Sequence, residues 1–202
     1  MAAANPLRGV KSDADYIASI LKGIEGPIVL VGHSYGGSVI TNAVNGNQNV
    51  KALVYIAGFA PDTGETAAAL SGRYPGSTLS PTLAPSIALP DGGKDLYIQQ
   101  FKFHAQFAVD VPLADAKLMA STQRPVTDAA LNEASGAPAW KSTLSWFIYG
   151  DRDLNIPAAV HAFMAKRAGS KETIAVKGAS HVVMISHPDA VVKLIEHAAT
   201  TR

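Results

Sequence analysis

Apolar positions along this chain alternate between two rhythms. From Lys11 they recur at helical spacing, placing Ile17, Ile20, Leu21 and Ile24 on one face, and Ser12 with Asp15 has the spacing of a capping box. Gly23 and Gly26 end that helix before Pro27. Ile28-Val29-Leu30-Val31 is then a continuous apolar run of strand length, as expected for a strand buried on both faces. A second helix is predicted just after Ser34, ending at the turn residues Asn45-Gly46-Asn47, and Ala52–Ala57 reads as the next buried strand.

Pro61 to Trp140 breaks the rhythm. Its first part, to Gly93, is rich in Pro, Gly, Ser and Thr. Two helical patches follow, one with Leu96, Ile98, Phe101, Phe103 and Phe107, the other with Leu113, Ala116, Leu118 and Met119. Without strand alternation between them, the segment is expected to be a helical insertion. The strand rhythm returns at Leu144–Tyr149 and Thr173–Val176, with helices at Ala158–Arg167 and Asp189–His197. This order predicts an α/β protein with a mostly parallel sheet flanked by helices. Its core would be residues 1–60 and 141–202, interrupted by a helical insertion at 61–140.

Composition narrows the function classes. At 202 residues the chain suits one domain with a substantial core. Seventeen Lys and Arg against sixteen Asp and Glu leave no basic footprint for nucleic acid. The absence of cysteine excludes disulfides, thiolate metal sites and cysteine nucleophiles. No apolar run approaches the roughly 18 residues of a membrane span, and Met1–Pro6 lacks the apolar stretch of a secretory signal. A soluble, cytoplasmic domain is the expectation.

The chemistry concentrates at Gly32-His33-Ser34-Tyr35-Gly36-Gly37, a G-x-S-x-G sequence between a buried strand and a helix. A sharp turn there would hold the serine in a strained conformation, with small residues where backbones pass closely. The helix N-terminus behind Ser34 offers backbone N–H groups to an oxyanion. A serine hydroxyl needs a base. His181, in Gly178–Met184 after the last strand, lies where parallel sheets assemble their sites. His33 is expected to pack beside the turn and His104 to be half-buried in the insertion. His161 and His197 are read as surface or packing residues, and His187 as starting the final helix. The orienting acid is expected in Gly150–Pro157, where Asp153 is preferred to Asp151; Asp151 would instead pair with Arg152 or shape the turn. Asp62 is a third candidate.

Ser34, Asp153 and His181, in that chain order on a parallel sheet, resemble the α/β-hydrolase superfamily over nearly the whole chain. Val31–Gly37, Tyr149–Asp153 and Ser180–Pro188 look like its three signature loops. The resemblance places the acid three residues after the strand-ending glycine, at Asp153, and makes 61–140 the helical cap that shapes the substrate pocket. More closely, the chain resembles small bacterial esterase-like members related to the plant methylesterase and hydroxynitrile-lyase group. Members normally begin with further strands, one followed by a His-Gly loop that supplies a second oxyanion donor, and this sequence has no His-Gly pair. The resemblance therefore implies an N-terminally short member whose Ile28–Val31 strand lies at an open edge. Such an edge invites pairing in a homodimer or higher oligomer.

The expected activity is hydrolysis of small carboxylic esters without metal or organic cofactor. Ser34 would be the nucleophile, His181 the base and Asp153 its partner. The Tyr35 N–H would stabilise the oxyanion, and His33, Phe101 and Phe107 would line the substrate site. Phe103 and Met119 are candidates for the same pocket, with packing of the insertion's own core the favoured alternative for most of these phenylalanines and Met119. The alternatives are a lyase or perhydrolase on the same residues, or a non-catalytic scaffold. Hydroxynitrile cleavage would need a cation near His181, for which Lys94, Lys102 and Lys117 are the insertion's lysines.

Overall fold

A computed structural model describes residues 1–44 and 46–201. Asn45, in the turn expected to end the second helix, lies outside the described residues. The elements in chain order are α1 (Val10–Lys22), β1 (Ile28–His33), α2 (Tyr35–Ala43), β2 (Val50–Ile56) and α3 (Ala67–Ser71). They continue with β3 (Ile87–Ala88), β4 (Lys94–Leu96), α4 (Gln100–Phe107), α5 (Leu113–Thr122), β5 (Val126–Thr127) and α6 (Asp128–Asn132). The chain closes with β6 (Leu144–Gly150), α7 (Ala158–Arg167), β7 (Glu172–Val176), α8 (Val183–Ser186) and α9 (Pro188–Thr200).

Strands β1, β2, β6 and β7 form one parallel sheet in the order β1-β2-β6-β7. The pleat explains why its central strands read as unbroken apolar runs. Leu53, Tyr55 and Phe147 point to one face, where they pack with Val39 and Ile40 of α2 and Val160 and Met164 of α7. Ala52, Val54, Trp146 and Ile148 point to the other, against Val183 of α8 and Val191, Leu194 and Ala198 of α9. Ala52 to Tyr55 are fully buried, so both faces of β2 are covered. β1 lies at one edge of the sheet, as expected.

Two local expectations are corrected. Helix α1 starts at Val10 with Gly9 as its N-cap, so Ser12 falls inside the first turn and its hydroxyl donates back to the Gly9 carbonyl. No side chain caps the helix from Gly9; Glu133 Oε2 accepts the first-turn Lys11 N–H, while the fully buried Asp13 accepts the Arg8 N–H just ahead of the helix. Between residues 61 and 140 the helices α3 to α6 are joined by a small antiparallel sheet, β3-β4-β5, that the sequence pattern does not announce. Leu96 pairs with Val126 in it and is not helical. Strands of two or three residues are too short to display a period of two.

The same segment has its own apolar cluster of Ile98, Phe103, Ala108, Val111, Ala116 and Ala120, and Val182, directly after His181, packs into it. Gln106 of α4 adds a polar tie, donating to the Leu154 carbonyl and to Asn155 Oδ1 while accepting from Thr78. The segment thus docks on the loops that follow β6 and β7.

Candidate active site

The turn between β1 and α2 holds Ser34 at φ 52°, ψ −125°, a left-handed conformation that a non-glycine residue adopts only when its surroundings enforce it. They do so through the strand end of β2. The Ser34 N–H donates to the Ile56 carbonyl, and the Ser34 carbonyl accepts the N–H groups of Gly37 and Phe59. A side chain at Gly32 would sit 2.6 Å from the Gly36 carbonyl oxygen, and one at Gly37 would strike Phe59 backbone, its nitrogen lying 2.7 Å away. At Gly36 a Cβ would meet nothing within 4 Å. The close approaches therefore fall on Gly32 and Gly37, and the last glycine of G-x-S-x-G is sterically free.

The parallel sheet brings the loops after β1, β6 and β7 to the same end. Ser34 Oγ lies 2.8 Å from His181 Nε2, and His181 Nδ1 lies 2.7 Å from Asp153 Oδ2. An ionised carboxylate only accepts, so Nδ1 carries the ring proton and Nε2 accepts the serine hydroxyl. The other oxygen, Asp153 Oδ1, accepts the N–H groups of Asn155 and Ile156 at 2.8 and 3.0 Å. His181 and Asp153 are buried, while Ser34 is half-buried and reachable. Burial alone would push the Asp153 carboxyl up; the imidazoles of His181 and His161, with their hydrogen bonds, outweigh it and hold the group well below the usual carboxylate range.

His33 braces this arrangement from β1. Its Nε2–H donates to the His181 carbonyl at 3.0 Å, and its ring lies 4.9 Å from the His181 ring. Burial, helped by the adjacent His181 imidazole, pushes His33 down to about 3, so it is neutral near pH 7. The Phe107 and His181 rings meet edge to face, with centroids 4.7 Å apart, so Phe107 stands beside the base. Tyr35 contributes its backbone N–H, the first of α2, which helix geometry leaves without an intrahelical acceptor. Its side chain turns away, donating to Asp13 Oδ2 at 3.0 Å and tying α1 to the turn.

Some expected positions move and others hold. Phe101 is 81% exposed and does not line the site. It lies two residues before Phe103, nearly opposite on α4, and Phe103 and Phe107 take the inner face. Asp151 does not pair with Arg152; it shapes its turn by accepting the Gly178 N–H at 2.7 Å. Asp62 pairs with Lys141 at 2.6 Å. His104 is half-buried and bonded to the Val111 carbonyl, and His197 pairs with Glu172 at the surface.

The departure with most consequence is His161. It is buried, stacks on Tyr149 with centroids 4.8 Å apart, and places Nε2 3.2 Å from Asp153 Oδ2. A histidine within a helix carries no local signal of such a contact. The available clue was its spacing of eight residues after Asp153, enough for a loop and one helical turn to fold back.

With fold and geometry in place, comparison with known proteins is direct. The alpha/beta hydrolase family profile matches residues 4–194, and the chain belongs to that family. It is 28% identical over 182 residues to the alpha/beta hydrolase nvfD of Aspergillus novofumigatus, covering 85% of this chain and 70% of that one. The structure is similar to polyneuridine aldehyde esterase, with a TM-score of 0.79, 16% identity and coverage of 96% of this chain and 81% of that one. It is also similar to the methylesterase MES16 from Arabidopsis, at TM-score 0.72 and 16% identity, covering 99% and 81% of the two chains. Family membership supports hydrolase-type chemistry.

Among the described residues no helix is long and apolar enough to cross a membrane, and no cluster of three or more His, Asp or Glu is placed to hold a metal ion.

Proposed function

We propose that this protein is a serine hydrolase of small carboxylic esters that works through an acyl-enzyme on Ser34, His181 and Asp153. The observation that carries the reading is the unbroken chain from Ser34 Oγ through both His181 nitrogens to Asp153, at 2.8 and 2.7 Å. Ser34 attacks the ester carbonyl while His181 Nε2 takes its proton. Asp153 holds the ring and stabilises the imidazolium that forms. The Tyr35 N–H faces the developing oxyanion at the N-terminus of α2. The imidazolium then gives its proton to the leaving alkoxide. Water, deprotonated by His181, attacks the acyl-enzyme and releases the acid with Ser34 restored. Phe107 supplies an apolar wall for the acyl or alcohol group.

A same-site hydroxynitrile lyase is less well supported. Lys94 and Lys117 sit at exposed positions, and Lys102 spends its ammonium on the Pro81 carbonyl and lies over the outward-facing Phe101 ring. Among the described residues the side chains that hydrogen-bond to His181 or meet its ring are Ser34, Asp153, His33 and Phe107, with none of these lysines among them.

Labelling with a fluorophosphonate tests the reading. The expected result is a single adduct mapped to Ser34 by mass spectrometry and absent from Ser34→Ala. A folded wild-type protein that takes up no probe would overturn it and favour a non-catalytic scaffold.

A further inference from the structure

Asp153 Oδ2 is shared. Its shorter bond, 2.7 Å, comes from His181 Nδ1, and a second comes from His161 Nε2 at 3.2 Å. With the Asn155 and Ile156 N–H groups on Oδ1, the carboxylate accepts four hydrogen bonds. His161 is itself fixed, since it is 1% exposed, held in α7 and stacked nearly parallel on Tyr149 of β6. A buried imidazole facing a carboxylate can bond to it only through a protonated nitrogen. Burial depresses its titration, against the opposing pull of Asp153, so the ring donates as a neutral group.

We propose that His161 is a positioning residue: its Nε2–H pins Asp153 Oδ2 against His181 Nδ1 and withdraws part of the charge that this oxygen presents to His181. The inference rests on the esterase reading only for its catalytic consequence; the hydrogen-bond claim stands apart from it. A neutral donor to a carboxylate spreads its charge, as the backbone N–H groups do on Oδ1. Without it, His181 would face a more concentrated negative charge in a less constrained orientation. The imidazolium would be held more tightly, and the less constrained ring would meet the Ser34 hydroxyl in fewer productive orientations, slowing attack. The other titratable groups facing this pair are His33 from β1 and Tyr149 from β6.

Two variants and two readouts test this. His161→Phe keeps a ring against Tyr149 but removes the donor, and His161→Gln restores an N–H at similar reach. The first readout is NMR of 15N-histidine-labelled protein, which needs no substrate. Wild-type His161 is expected to carry its proton on Nε2. The His181 Nδ1–H resonance is expected to move downfield in His161→Phe and to return toward wild type in His161→Gln. The second is the rate of fluorophosphonate labelling against pH. Its acid limb is expected to rise by about half to one pH unit in His161→Phe, with a rate at the plateau about three- to tenfold lower, and to recover in His161→Gln.

An unprotonated Nε2 on wild-type His161, or a folded His161→Phe whose His181 resonance and acid limb both stay in place, would overturn the proposal. If His161→Phe does not fold, the wild-type tautomer and the His161→Gln spectrum decide. Resonances that move as expected in a protein that takes up no probe would uphold the positioning role and reject the esterase reading.

Discussion

Gly150 backs directly onto the carbonyl of Ala179, and at that crossing the loop carrying Asp153 meets the loop carrying His181. The Arg152 N–H closes the contact by donating to the same Ala179 carbonyl at 3.0 Å. A side chain on Gly150 would also lie 2.5 Å from the Ser180 carbonyl oxygen, and backbone on both sides leaves nothing to swing aside. Gly150→Ala is therefore expected to lower the melting temperature and to slow Ser34 labelling by about 10², the scale of a misplacement near 1 Å. Gly36→Ala is the contrasting variant. Its Cβ meets open space in the first turn of α2, so it is expected to fold at least as stably as wild type, gaining up to about 1 kcal/mol in denaturant melts. Equal losses in both variants would contradict the close-approach account.

Asp153 is separated from the competing aspartates by its contacts. Asp153→Asn is expected to favour the wrong His181 tautomer and to cost about 10⁴ in turnover, the scale seen for this replacement in serine proteases. Asp151→Asn and Asp62→Asn, which disturb a Gly178 turn and a Lys141 ion pair, should stay close to wild type. Rates with a chromogenic ester decide between them.

Stability should decline in acid through the buried imidazoles. His33 is held down to about 3 against its ordinary 6.5, and burial lowers His161 as well. Below about pH 6.5 the unfolded chain binds protons that these folded rings refuse. Unfolding free energy should thus be highest above that pH and fall as pH drops, with His33 contributing up to about 1.4 kcal/mol per pH unit down to about pH 3 and His161 adding in the same direction. Asp153, held below its ordinary 3.8, adds to the loss only at the acid end. Urea melts from about pH 7 to 4.5 should show a shallower decline for His33→Gln, which retains a donor for the His181 carbonyl. An unchanged slope would remove His33 from the account.

β1 pairs with β2 alone among the described strands, and its Val31 is 38% exposed. An apolar edge of this kind favours strand pairing with a second copy. Light scattering is expected to report a dimer, and Val31→Lys should shift it toward monomer. A monodisperse wild-type monomer would contradict the pairing.

Much of this architecture was legible because parallel strands buried on both faces leave continuous apolar runs. Ala52–Ile56 and Leu144–Tyr149 lie in the central strands and Ala158–Arg167 is α7, whereas Ala57 falls just past β2. Ile28–Val31, though a strand, is the partly buried edge and not the doubly covered one its apolar run suggested. Ser34, Asp153 and His181 stood out because each follows a strand in a loop with few competing candidates. What stayed hidden depended on tertiary contact. The β3-β4-β5 sheet is too short for a period to emerge. Phe101 and Phe107 are alike in sequence, and only the docking face of α4 separates the exposed ring from the one beside His181. Asp13 and His161 look like ordinary helical polar residues until folding sets them against Tyr35 and Asp153.

The most direct measurement is steady-state hydrolysis of p-nitrophenyl butyrate by wild type and Ser34→Ala at matched concentration and oligomeric state. The account predicts saturable turnover by the wild type that falls to the uncatalysed background in Ser34→Ala. Equal rates in the two proteins, with both folded, would contradict the assignment of Ser34 as nucleophile.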